Sequence, residues 1–350
     1  MPDTYISQFS GEEIDAALRA AQIISGASTL AELRKKLEIR GDTIPVSAED
    51  STLISEALKK IPTTSGGGVN PNLLDNWFFG RPVNQRGQTE LASGNWNKYF
   101  IDRWLATSTD CAYAITEDGV KISTLPHEYN QIWRQNLERM EKRTYTLSFL
   151  LKNIGLLSIT FTPQGSDYAE QTLDGGFIVS FTSEANLVNP AIRLLTSASV
   201  TVSDVTVLAA KLELGSTQTL AHKDGDKWAL NEIPDFGEQL RRCQRYLFST
   251  RGTTNYVCAG SGYISVDGTE AIIVVPTPVS LRATPVCMVN GILHVDTSYG
   301  ECVTGNNVSL LNVGNGSLGI RMKIIGSATP KSPCFMWIDI NNNLLFSADL

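Results

Sequence analysis

From residue 72 onward the chain is built of short runs of β-branched and aromatic residues, each closed off by glycine, asparagine, serine or proline. "RTYTLSFLLKN", "LLSITFT", "GGFIVSFT", "AIRLLT" and "SVTVSDVTVLAAKLEL" succeed one another with no long helical segment between them. Such runs fit a pleated, half-buried surface, and many of them in series require sheets packed on sheets. A second set, "YVCAGSGYISV", "EAIIVVPTPV", "ILHVD", "NNVSLLNV", "GIRMKII" and "CFMWIDI", fills the last hundred or so residues, a typical domain size. The expected class is mainly β: a central jelly-roll β-sandwich over 72–232 and a smaller C-terminal β-sandwich over 243–350. Between them, "EIPDFGEQLRRCQRY" reads as a short helical spacer at 233–242, with Pro234 at the first helical position, where its missing N–H costs nothing.

The first sixty residues follow another period. Ser10 with Glu13 and Thr29 with Glu32 fit capping boxes, in which a hydroxyl and a carboxylate satisfy the orphan N–H groups of a helix start. Apolar stripes follow at spacings of three and four: Ile14, Leu18 and Ala21, then Leu30, Leu33 and Leu37, then Leu53, Ile54, Ala57, Leu58 and Ile61. Helices this short need a partner for their stripes, so residues 1–61 are expected to form an attachment region. "PTTSGGG" then opens a flexible joint over 62–71, because proline stops the helix and successive glycines carry nothing to pack.

Composition excludes several functions. With 36 acidic against 29 basic residues the net charge is −7, and no lysine or arginine run could track phosphates, so a nucleic-acid partner is not expected. No basic segment followed by an apolar one opens the chain, and no stretch is long and apolar enough to span a membrane. Six cysteines without a CxxC pair read as buried free thiols of a protein made in a reducing cytoplasm.

The catalytic motifs fail in turn. There is no G-x-S-x-G elbow, no HExxH and no P-loop. "GNGSLG" (Gly314, Gly316, Gly319) satisfies GxGxxG, but the strand-like "GIRMKII" follows where a dinucleotide site needs a helix N-terminus, so a glycine-rich hairpin is expected. His127, His222 and His294 stand in separate segments without the supporting ligands of a zinc site. Among 36 acidic residues, pairs suited to glycoside hydrolysis cannot be singled out. No cofactor and no catalytic residue is assigned.

Aromatic side chains among amides offer more. Sugars are held by flat aromatic faces with a few placed polar groups. Trp96, Tyr99 and Trp133 lie among Asn95, Asn97, Asn130 and Gln131, and these three are the candidate ligand contacts of the central domain. Tyr256 and Tyr299, in loops of small polar residues, are the candidates of the last domain. The segment "NLLDNWFFGRPVNQRG" is expected to begin the sandwich, with Asn72, Leu73, Leu74 and Phe78 filling its core and Arg81 and Arg86 tying the loop down.

"NLLDNWFFGRPVNQRG" also resembles the opening of carbohydrate-binding, galactose-binding-like jelly rolls, and "VTVSDVTVLAAKLELG" their closing strand, with Asp204 at the usual aspartate position. Together with "FSGEEIDAALRAA", "IDRW", "KLELGSTQTLAH", "EIPDFGEQLRRCQRY" and "PVSLRATP", the chain resembles tail-fibre and receptor-binding proteins of tailed bacteriophages and prophages. That resemblance implies a non-enzymatic virion protein, assembled in the bacterial host cytoplasm. It would be a homotrimer docked on tail or baseplate proteins through its N-terminal helices and attached to a bacterial surface glycan. Without a collagen-like or heptad shaft it would be a short fibre or tip. Jelly rolls of this kind often hold a structural calcium, for which Asp224 and Asp226 in "HKDGDKW" are candidates, although Asp-Gly equally fits a plain turn. The competing readings are a virion structural or decoration protein that binds no glycan, and a capsule depolymerase.

Overall fold

A computed structural model of the chain describes residues 70–349 except Ser166, Thr253 and Asn255, with Asp167 described by its backbone alone. The N-terminal helices, their capping boxes and the glycine joint lie outside the described residues. From Pro71 onward the chain forms one compact unit, mainly β, with two hydrophobic cores.

The first core is enclosed by two six-stranded antiparallel sheets. One has the order Glu90–Leu91, Ala112–Thr116, Gly119–Ser123, Asp204–Leu214, Tyr145–Leu151, Gly155–Phe161. The other runs Lys98–Ile101, Trp104–Ala106, Asn130–Asn136, Ala191–Thr196, Phe177–Ser183, Asp167–Thr172. The long strand Asp204–Leu214 pairs with Gly119–Ser123 only as far as Val207. Residues 73–79 take over beside its second half: Leu73 N donates to Leu212 O at 2.8 Å and Phe79 N to Leu208 O at 2.9 Å.

The segment thus opens the sandwich as its sequence suggests, but with different core members. Leu74, Trp77 and Phe79 are buried, whereas Leu73 turns outward and Phe78 is only partly covered. The irregular pairing breaks strict alternation, which is why Phe79 takes the core position expected of Phe78. Asn72 is buried through bonding instead of packing, its Nδ2 donating to Ala210 O at 2.8 Å.

The C-terminal region is β as expected, and its layout is more closed than a two-sheet sandwich. Six strands, Val257–Ile264, Glu270–Pro276, Ser317–Ile325, Cys302–Gly314, Leu293–Thr297 and Pro333–Ile338, close into a barrel around Ile273, Val295, Ile320, Met322 and Met336. Closure pairs every edge that an open sheet would leave exposed. Three more strands, Leu247–Arg251, Asn343–Ser347 and Val286–Asn290, form a separate sheet. "GNGSLG" is the expected hairpin, with Gly314 opposite Ser317 and Gly316 at φ +84°, a conformation glycine adopts freely.

The helix spans Phe236–Gln244 and is capped by Asp235, whose side chain accepts from Glu238 N at 2.8 Å. Pro234 therefore precedes the cap instead of occupying the first helical turn. Nor is this helix a mere spacer. Arg242 Nε donates to Asp75 at 2.8 Å, and Asn76 N donates to Gln239 Oε1 at 2.8 Å. Beneath it, fully buried Arg103 pairs with Asp75 at 3.1 Å and stacks 3.5 Å from the centre of the Tyr246 ring. Arg86 meets Asp349 at 2.5 Å, and Gln85 links Asp102 to Leu247 O. Arg81 covers the Phe236 ring at 4.6 Å. Arg81 and Arg86 do tie their loop down, and the anchors lie on the helix and just beyond the last strand.

Candidate functional site

The five aromatic candidates do not converge. Trp133 is fully buried, stacked 5.7 Å from Trp104 and 5.4 Å from Tyr113, so it is a core residue and cannot meet a ligand. The cause is a bulge: the pairing of Asn130–Asn136 with Ala191–Thr196 skips one residue, and Ile132 and Trp133 both turn inward. Trp96, 67% exposed, stands on the loop before Tyr99. Tyr256 and Tyr299 are exposed on the barrel, Tyr256 with its ring 6.1 Å from His294.

Tyr99 leads to a site that residue patterns did not reveal. In antiparallel pairs, residues directly opposite share a face of the sheet. Tyr99 lies opposite Leu105, Leu105 opposite Arg134, Arg134 opposite Arg193, Arg193 opposite Ser180 and Ser180 opposite Glu170. One row of side chains thus crosses all six strands of the second sheet. Its neighbours on the inner face, Trp104, Trp133, Leu194 and Val179, belong to the core, so the row faces outward.

Apart from Leu105 the row is polar; Leu105 and Ser180 are buried, and the rest is partly ordered by its own bonds. Arg134 Nε donates to Asn136 Oδ1 at 2.6 Å, and Arg193 Nε to Ser180 Oγ at 3.0 Å. Arg193 also reaches Gln131 Oε1 at 3.4 Å and lies 5.5 Å from the centre of the Tyr168 ring. Tyr129 and Tyr168, 57% and 50% exposed, hold their hydroxyls 2.7 Å apart, and both donate to Glu170. Burial lowers the pKa of both guanidinium groups, and the nearby Arg193 charge lowers that of Arg134 further. Burial, with Asp349 adding to it, pushes the Tyr99 hydroxyl up to about 12, so it stays a neutral donor at ordinary pH.

At the Tyr99 end, a cleft of ≈ 650 Å³ is lined by Arg86, Asn95, Asn97, Tyr99, Asn290 and Asn343. Asn95, Asn97 and Tyr99, neighbours in sequence, do come together here, and Arg86 sits 5.0 Å from the centre of the Tyr99 ring. Chemically, this face offers tyrosine rings for the apolar side of a sugar, amides and Glu170 for hydroxyls, and guanidinium groups for negative charge.

Other candidates prove structural. Asp224 and Asp226 flank a hairpin turn with Gly225 at φ +61°, and no group of three or more histidine, cysteine or acidic side chains suited to a metal occurs among the described residues. Asp204 makes a surface ion pair with Lys121 at 3.4 Å. His294 pairs with Asp339 at 2.7 Å. All six cysteines are free, but only Cys111, Cys243 and Cys334 are buried; Cys258 and Cys302 are exposed, contrary to the expectation of uniformly buried thiols. Among the described residues, no helix is long and apolar enough to cross a membrane.

A scan against protein-family models finds no match, and neither curated proteins nor solved structures yield one.

Proposed function

We propose that the protein is a non-catalytic attachment subunit of a bacteriophage tail fibre or tip, which binds a bacterial surface glycan through the outward face of the second sheet. The reading is carried by the row from Tyr99 to Glu170, with Tyr129 and Tyr168 beside it: two half-exposed aromatic rings, oriented hydroxyls and charged groups on a rigid sheet. Sites on strands hold their groups in place better than sites on loops, and pre-ordering them reduces what binding must offset. The tail-fibre assignment rests on the sequence resemblance. A homotrimer fits the barrel surface, where Tyr263, Val274 and Phe335 are exposed around Ser261 on adjacent strands. Threefold presentation would convert weak single-site binding into useful avidity. The N-terminal helices would dock on tail or baseplate proteins.

Full-length protein is to be tested on an array of bacterial surface glycans beside Tyr168→Ala and Tyr129→Ala, with solution mass measured by light scattering. Retention of a glycan by a trimer, lost in the variants while their melting temperature holds, supports the assignment. No retained glycan would favour a decoration protein, and new reducing ends in a digest of host polysaccharide would favour a depolymerase.

A further inference from the structure

Within the glycan-binding reading, on which this step rests, we propose that Arg134 and Arg193 together receive the oxyanion of an acidic glycan, a uronate carboxylate or a backbone phosphodiester. The two guanidinium groups come from directly opposite positions of neighbouring strands. Like charges in that relation destabilise a sheet. Burial raises the cost, because each guanidinium has lost part of its water.

Elsewhere in the molecule carboxylates often meet arginines: Arg86, Arg103, Arg242, Arg245, Arg282 and Arg321 each have one within 4.0 Å, whereas Arg81, Arg139 and Arg251 have none among the described residues and do not stand opposite a second arginine. Among the described residues, neither Arg134 nor Arg193 has a carboxylate that close. Glu170, the nearest acid in the row, is instead occupied by the hydroxyls of Tyr129 and Tyr168.

The donor atoms point the same way. Each Nε is bonded within the sheet, to Asn136 and Ser180, which fixes the planes of the two forks. Among the described residues Arg193 Nη2 has no hydrogen-bond partner, and the atom lies below the surface that a ligand would meet. An unmet buried donor on a cation is costly, and an oxyanion accepting from the paired guanidinium groups would offset their repulsion and, with a shift of the Arg193 side chain toward it, satisfy that donor. Tyr168, 5.5 Å from the Arg193 guanidinium, would then pack on the sugar ring that carries the acid. A net charge of −7 gives the whole molecule no general attraction for anions, so the recognition is local to this pair.

The test uses full-length protein and three immobilised probes: an oligohexuronate, its carboxyl-reduced counterpart of the same linkage, and poly(glycerol phosphate). Preference for either acidic probe over the neutral one, with affinity falling about ten- to hundredfold in Arg193→Gln and in Arg134→Gln, is the expected result. Which acidic probe binds distinguishes carboxylate from phosphodiester. Arg134→Lys, which keeps charge and stem, should retain part of the affinity and guards against misreading a folding defect. Equal binding of acidic and neutral probes, unchanged in the arginine variants, overturns the acidic-glycan assignment and leaves glycan attachment standing. Failure of all three probes, and of every glycan on the array, overturns both.

Discussion

Arg103, fully buried, and Arg193, half-buried, are both bonded to a neighbouring strand or loop and both set against a tyrosine ring, yet their surroundings differ in a second respect. Arg103 faces Asp75 at 3.1 Å and Asp349 at 4.0 Å, and its one unbonded nitrogen, Nη1, looks at an equally unbonded Asp349 Oδ1. Arg193 faces a serine, a glutamine and a tyrosine, and its unbonded Nη2 looks at no carboxylate among the described residues. The first charge is neutralised inside the chain and holds the sandwich, the helix and the last strand together. The second has no carboxylate in contact on the outward face, and Glu170, held by Tyr129 and Tyr168, acts on it only from a distance. A buried charge with its counterion present is a structural element; one without it is open to a ligand that brings its own.

The sharpest way to break this contrast is to remove the seam arginine. Arg103→Met would strand Asp75 with Arg242 alone and Asp349 with Arg86, and uncover the Tyr246 ring. Breaking one side of a buried pair costs about 3–5 kcal/mol. Urea unfolding should register that loss as a lower midpoint, or as separate transitions for sandwich and barrel. A loss under about 1 kcal/mol would mean that the seam is not held by its charges.

Acidity offers a second handle on the same seam. Burial pushes the Asp102 carboxyl from its ordinary 3.8 up to about 7, despite the hydrogen bonds it accepts from Gln85 and the nearby Arg86 charge. Asp349 is shifted the same way, again by burial first. Between about pH 4 and 7 the folded chain therefore holds a proton that the unfolded chain has released. The resulting stability is full below about pH 4 and is lost as pH rises through about 7, on the order of 4 kcal/mol at most for Asp102. Melting temperature should fall between pH 5 and pH 8, and Asp102→Asn should flatten that slope. Arg193→Gln should leave it unchanged, since Arg193 is not among the charges that act on Asp102 or Asp349.

The sequence makes the strands legible because period and punctuation are local properties. It also marks the segment that opens the sandwich, and the "GNGSLG" hairpin follows from its glycines alone. What escapes it is pairing. Trp133 looks like a loop-side aromatic until the bulge turns it inward beside Ile132, and nothing in "NQIWRQN" announces a bulge. Arg134 and Arg193 each fall on the outward positions of their own strands, so exposure was readable for each separately. That they stand opposite one another is a fact of register between segments far apart in the chain. Likewise Asp75 and Arg242 are 167 positions apart, so the helix between the domains read as a spacer when it is part of the joint. Barrel closure depends on Val257–Ile264 meeting Pro333–Ile338, another long-range pairing.

The smallest predicted effect tests the contrast most finely. If Arg134 and Arg193 repel one another in the free protein, neutralising one of them should cost nothing. Arg134→Gln keeps much of the stem that covers the sheet and can still donate to Asn136, so the expected change at low salt is zero to a gain of roughly 0.5 kcal/mol. Added salt should shrink any gain, because screening weakens repulsion between partly exposed charges. A loss above about 1 kcal/mol, insensitive to salt, would show the guanidinium to be a structural prop like Arg103. The distinction between the two kinds of arginine would then fail at its own defining residue, whatever the glycan probes reported.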